Sequence, residues 1–173
     1  LLTERAVPWL AHLLAKGYQV DPDGGRDAVF AARGLGEAAM FAAEDSETAF
    51  LTDRFLSWLS VAGGRPWFAH VSYIAPHPPF AAASPYDRLI DPEAVPLPKR
   101  GASPTTEAAQ HPLVAALYDA MDAGHFVPGL EGRSCDIDDA TIRRTRASDA
   151  GQAAEVDHHI VRILAALRAN GVL

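Results

Sequence analysis

Eight residues with little polarity, Trp67-Phe68-Ala69-His70-Val71-Ser72-Tyr73-Ile74, run directly into Ala75-Pro76-His77-Pro78-Pro79-Phe80. This junction constrains the chain more than any other stretch. The length and content of the first part predict a strand over 67–74, buried on both faces of a sheet. The three prolines that follow forbid helix and ladder pairing alike, because each removes a backbone donor and fixes φ. They make a stiff loop beyond the strand's carboxyl end, where open α/β sheets gather ligands. His77 lies in that loop with proline on both sides, so its imidazole is held at low entropic cost. A histidine fixed in this way can donate to an oxyanion, act as a general acid or ligate a metal. The competing reading of the same residues is a proline-rich turn whose histidine faces water.

The flanking segments read as an α/β chain. Ser46 can cap a helix over 47–62, with Leu51, Phe55, Trp58, Leu59 and Ala62 on one face and Gly63-Gly64-Arg65-Pro66 as its stop. A short helix over 7–17 takes Pro8 in its first turn and ends at Lys16-Gly17, with Leu10, Leu13 and Leu14 on one face. The stretch 18–45 is irregular and carries the turn Asp21-Pro22-Asp23-Gly24-Gly25. Residues 81–112 stay proline-rich and predict an extended surface excursion with little sheet. His111-Pro112 opens a short helix through Met121, with Leu113, Leu117 and Met121 on one side, and a glycine-rich bend covers 124–132. The longest element is a helix over 138–170, capped by Asp138 or Asp139 and closed by Asn170-Gly171. Its apolar stripe is Ala153, Val156, Ile160, Ile163, Leu164 and Leu167.

Charge and cysteine usage narrow the function classes. The formal net charge is −7, which argues against a nucleic-acid binder. One cysteine, Cys135, excludes an internal disulfide and a cysteine-based zinc site. Asp136 and Asp138 beside it disfavour the thiolate, so it reads as inert. No apolar run is long enough to span a membrane. Asp157-His158-His159 cannot converge on one ion, because adjacent helical residues point about 100° apart. Glu155 and His159 share a face and could support a zinc pair; the simpler expectation is a solvated face. His70 reads as a satisfied core histidine, Trp58 and Trp67 as core, and Arg143, Arg144 and Arg146 as an exposed helix face.

Several of these pieces in order resemble the sulfatase and phosphonate monoester hydrolase family of the alkaline phosphatase superfamily. The resemblance is carried by Thr48-Ala49-Phe50-Leu51-Thr52-Asp53-Arg54-Phe55-Leu56, by Pro66 through Tyr73, and by Pro76-His77-Pro78-Pro79-Phe80 with Pro85-Tyr86. It continues through Asp91-Pro92, Val95-Pro96-Leu97-Pro98, Arg146-Ala147, Ala154-Glu155-Val156-Asp157-His158-His159-Ile160 and Leu164-Ala165-Ala166-Leu167. Order and spacing agree over about residues 46–171. Ser148-Asp149-Ala150 stands where relatives usually carry aromatic residues, and Val161 where they often carry glycine.

The resemblance implies a partial alkaline-phosphatase-like sandwich, with a central sheet flanked by helices. It implies cleavage of a small-molecule sulfate, phosphate or phosphonate ester, and it gives His77 the role of hydrogen-bonding the transferred group. It also implies a divalent metal (Ca, Mn or Mg) and a formylglycine made within a Cys/Ser-x-Pro-x-Arg motif. That motif does not occur in these 173 residues, and neither does the family's Asp-His-Gly-Glu metal motif. Residues 1–173 are therefore expected to be an internal fragment of a single sulfatase-like catalytic domain. This fragment is expected to hold no metal of its own and to be inactive alone. The alternative is a diverged, non-catalytic sulfatase-like binding module. Nucleic-acid and membrane partners are not expected, an oligomer of the longer protein is left open, and a cytoplasmic location is favoured over a periplasmic one.

Overall fold

The computed structural model describes residues 8–21, 29–30, 35–125, 127 and 129–173. Five helices are named here: α1 Pro8–Ala15, α2 Glu47–Leu59, α3 Pro104–Ala108, α4 Pro112–Ala120 and α5 Asp139–Ala169. Their starts follow local chemistry, since the first backbone N–H groups of a helix need outside acceptors. Ser46 Oγ accepts from Ala49 N at 3.0 Å, and Asp138 Oδ1 accepts from Thr141 N at 2.7 Å. At α4, His111 Nδ1 accepts from Leu113 N at 3.0 Å, with Pro112 as the first helical residue. The turn expected over 21–25 lies largely outside the described residues.

The main apolar cluster is built from the first half of the chain. Trp9, Leu10, Leu13, Val20, Val29, Phe30, Phe41 and Ala83 are buried together. Trp9 meets Phe41 edge-to-face at 5.4 Å between ring centroids, a favoured aromatic geometry. A buried carboxylate, Asp45, ties α1 to the start of α2. It receives Lys16 Nζ at 2.5 Å, Tyr18 Oη at 2.9 Å and His12 Nε2 at 3.2 Å, while its backbone oxygen accepts from Trp9 Nε1 at 2.8 Å. Burial alone would push this carboxyl up, but the bonds from Lys16, Tyr18 and His12 outweigh it and hold it below the usual carboxylate range.

The strand expected over 67–74 is not formed. Among the described residues there is no strand, only an isolated antiparallel bridge between Asp122 and Arg133. Residues 67–74 are in no helix and form no ladder with any described residue, and without a neighbouring strand there is no sheet face to bury them. Phe68 is 89% exposed and His70 is exposed, so His70 is not a core histidine. Trp58 and Trp67 are partly exposed and pack edge-to-face on each other at 5.2 Å, rather than in the core. Tyr73 anchors the segment to α2: its hydroxyl lies 2.6 Å from Thr52 Oγ1. Thr52 Oγ1 itself donates to Thr48 O at 2.8 Å, so Tyr73 is the donor.

The apolar face read for α1 is the buried one, with Leu10 and Leu13 in the core, but the stripes read for α2, α4 and α5 are mostly not the buried faces. In α2 the buried residues are Thr48, Ala49, Thr52 and Leu59, while Leu51, Phe55 and Trp58 line an open groove with residues 68–72. In α4 the Leu113 and Leu117 side faces outward. In α5 the buried face is Thr141, Ala147, Ser148, Gly151, Gln152, Glu155 and His159, whereas Ala153 is exposed and Ile160 is 42% exposed. The reason is what α5 packs against. Its neighbours are the turns Tyr86–Arg88 and Pro92–Ala94 and helix α2. The proline-rich stretch offers backbone carbonyls that take donors from α5, as those of Pro79, Phe80 and Ala81 do from Ser148 and Gln152. Arg143 accordingly binds Val95 O, so the arginine cluster is not merely a solvated face.

Candidate active site

The loop that carries His77 supplies few of its own hydrogen bonds. Pro76, Pro78 and Pro79 have no N–H, which leaves His77 N donating to Ile74 O at 2.9 Å and Ala81 N to Pro79 O at 3.0 Å. The peptide bonds preceding Pro76, Pro79 and Pro85 are cis. His77 is exposed, and its Nδ1 lies 2.7 Å from Pro78 O. A carbonyl oxygen only accepts, so Nδ1 carries the proton and donates. Nε2 is then the ring atom left for a ligand.

Three successive loop carbonyls are satisfied from α5. Gln152 Nε2 donates to Pro79 O at 3.1 Å and to Ala81 O at 3.3 Å, and Ser148 Oγ donates to Phe80 O at 2.8 Å. Gly151 permits this approach. A Cβ there would stand 2.3 Å from Tyr86 O, well inside any carbon–oxygen contact. Below this clamp lie two buried titratable groups. Glu155 is 4% exposed, and burial holds its carboxyl above the usual range despite a hydrogen bond from Ser46. His159 is 5% exposed, and its Nδ1 lies 3.1 Å from Arg162 Nη1. Arginine only donates, so Nδ1 holds the lone pair. Arg162 also donates to Asp53 Oδ1 at 2.7 Å, joining α5 to α2.

The solvated face expected for Glu155 and His159 is thus corrected: both point inward, because α5 turns its polar stripe toward α2 and the loop. Asp157 and His158 are exposed while His159 is buried, so the three diverge as helical geometry requires. Among the described residues no group of three or more His, Cys, Asp or Glu is placed to hold a metal ion, so these residues do not themselves fit the metal implied by the resemblance. Gln152 was not singled out from the sequence, and Ser148 stood out only as a departure from the family pattern. Their signal was present as small and polar residues at helical spacing, Ser148, Gly151, Gln152, Glu155 and His159. Also among the described residues, no helix is long and apolar enough to cross a membrane.

His77 thus stands in a proline loop whose following carbonyls are held from the long helix α5. The chain belongs to the sulfatase family, whose model matches residues 13–173. It is 38% identical to the phosphonate monoester hydrolase SpPMH from Silicibacter pomeroyi, with a TM-score of 0.85 over 99% of this chain and 35% of that one. It is 34% identical to the phosphonate monoester hydrolase of Agrobacterium radiobacter, with a TM-score of 0.82 over 95% of this chain and 33% of that one. It is also 39% identical over 128 residues to the multifunctional alkaline phosphatase superfamily protein PehA of Trinickia caryophylli, covering 74% of this chain and 25% of PehA. The chain thus spans between a quarter and about a third of these relatives, and its structural neighbours are ester hydrolases of the alkaline phosphatase type.

Proposed function

We propose that this chain is the histidine-bearing part of a single sulfatase-type catalytic domain that hydrolyses a small-molecule sulfate, phosphate or phosphonate ester. His77 binds a non-bridging oxygen of the transferred group. The observation that carries this reading is the hydrogen bond from His77 Nδ1 to Pro78 O, which fixes the ring and presents Nε2 outward. An anionic oxygen accepts, so Nε2 must carry a proton in the reactive form, and the ring acts as an imidazolium. A preorganised charged donor suits a transition state that spreads charge over non-bridging oxygens.

The formylglycine nucleophile and the divalent metal belong, in this reading, to polypeptide outside these 173 residues. The missing Cys/Ser-x-Pro-x-Arg motif and the share of the relatives covered support that assignment. So do segment 67–74, which forms no ladder with any described residue, and the outward apolar side of α2, which a central sheet would cover. The test is hydrolysis of an aryl phosphonate monoester and an aryl sulfate, by the intact polypeptide carrying this chain and by the 173 residues alone. Turnover by the intact protein only is expected. Turnover by the 173 residues that survives His77→Ala would overturn the reading, and no turnover by the intact protein would leave the non-catalytic binding module in its place.

A further inference from the structure

We propose that Gln152, with Ser148 beside it, is a positioning residue: from α5 it sets the path of the proline loop and through it the direction of His77 Nε2. This rests on the reading of His77 as the oxygen-binding group. The loop holds itself by only two backbone bonds, His77 N to Ile74 O and Ala81 N to Pro79 O, since three of its four residues from Pro76 to Pro79 lack an N–H. Further bonds come from two α5 side chains on the consecutive carbonyls of Pro79, Phe80 and Ala81. The first of these carbonyls directly follows Pro78, whose own oxygen orients the imidazole. The path from helix to ring is therefore Gln152 Nε2, Pro79 O, the Pro78 carbonyl and His77 Nδ1.

The chemistry of Gln152 supports a role beyond filling space. Its side-chain nitrogen spends both hydrogens on two loop carbonyls, while Oε1 is buried with no hydrogen-bond partner. An orphaned buried acceptor is costly. A leucine of similar size would avoid that cost and still pack, so the two donors are what this position supplies. Gln152 and Ser148 are 5% and 6% exposed, so water does not compete for these bonds.

The experiment is a double-mutant cycle in the intact protein. Gln152→Leu should lower kcat about 10- to 100-fold, the scale of a displacement near 1 Å at a reacting group, with KM within about twofold. The loss should vanish when His77 is already alanine, because Gln152 then has nothing to aim. Ser148→Ala should give a smaller loss, and Ser148→Thr should restore it. Arg143→Met, which cuts α5 from Val95 O in the same excursion but away from His77, should lower Tm and leave kcat alone. Unchanged kcat in Gln152→Leu, or a loss that adds fully to that of His77→Ala, overturns the proposal. If His77→Ala itself is silent, the reading of the site fails, and the clamp is judged on the ¹⁵N signal of His77 Nδ1. That signal should lose its hydrogen-bonded signature in Gln152→Leu, and an unaltered signal overturns the positioning role. Should Gln152→Leu fail to fold, Ser148→Ala carries the same readouts.

Discussion

Acidification should unload stability through His159. Its pKa is lowered from 6.5 to about 4, chiefly by burial and then by the charges of Arg162 and His158, with Asp53 opposing. Protonation would also place an N–H where Arg162 Nη1 now donates, 3.1 Å from Nδ1. The unfolded chain takes up this proton at higher pH than the folded one. The stabilisation is therefore complete above about pH 6.5 and is lost as the pH falls toward 4. The whole shift is worth about 3 kcal/mol, of which about 2 kcal/mol disappears between pH 7 and pH 5. Glu155 titrates with the opposite sign, so the test is a difference. His159→Gln keeps an acceptor for Arg162 but cannot titrate. Urea unfolding at pH 7 and pH 5 should show the wild-type chain losing about 2 kcal/mol more than His159→Gln. Histidine NMR should show the ring still neutral at pH 5. Parallel stability curves, or a ring that titrates near 6.5, would refute the burial argument.

Three further substitutions probe the same packing. Gly151→Ala gains about 1 kcal/mol of helix propensity but drives a Cβ to 2.3 Å from Tyr86 O, so the unfolding free energy from urea denaturation should fall by a net of about 1–2 kcal/mol; an unchanged value means the contact is slack. Asp45→Asn should cost about 2 kcal/mol at pH 7, because Lys16, Tyr18 and His12 lose a charged acceptor, and the difference from wild type should shrink as the pH drops below about 4. Glu155 has a raised pKa, so its neutral form favours the fold at low pH and that contribution is lost as the pH rises through its folded value. Glu155→Gln should lack that loss, so its Tm relative to the wild type's should rise as the pH goes from 5 to 7.

The starts of α2, α4 and α5 could be read from the sequence because capping is local, whereas α3, capped by Ser103, lay in the stretch read as an extended excursion. Ser46, Asp138 and His111 each satisfy an N–H two or three residues ahead, and nothing distant can change that. The inward face was legible for α1, where Leu10 and Leu13 are buried, but not for α2, α4 and α5. Periodicity marks a stripe, but burial depends on what lies opposite. For α5 the neighbour is a proline-rich backbone whose Pro79, Phe80 and Ala81 carbonyls take donors from Ser148 and Gln152, so the stripe of Ser148, Gln152, Glu155 and His159 faces in and Ile160 faces out. For 67–74 the apolar run announced a strand, but strand formation needs a partner strand, and none stands beside it among the described residues.

The place of His77 was legible, because three prolines dictate a loop whatever surrounds it. The hold on that loop was not. Gln152 lies more than 70 residues away in sequence, and no local signal connects a helical glutamine to the carbonyls of Pro79 and Ala81. The segment 18–45 reads as irregular, yet its Phe41 joins Trp9, Leu10 and Leu13 of α1 in the main core cluster. Their aromatic contacts come from segments that show no shared period and meet only in the folded chain.

The most direct measurement is kcat for an aryl phosphonate monoester in the intact protein, with and without His77→Ala, alongside Tm. Loss of one oriented donor to the transferred group should lower kcat by about 10²–10³. Because His77 is exposed and buries nothing, Tm should stay within a few degrees. A drop in Tm with kcat unchanged would make His77 a structural turn residue and contradict its assignment as the oxygen-binding group.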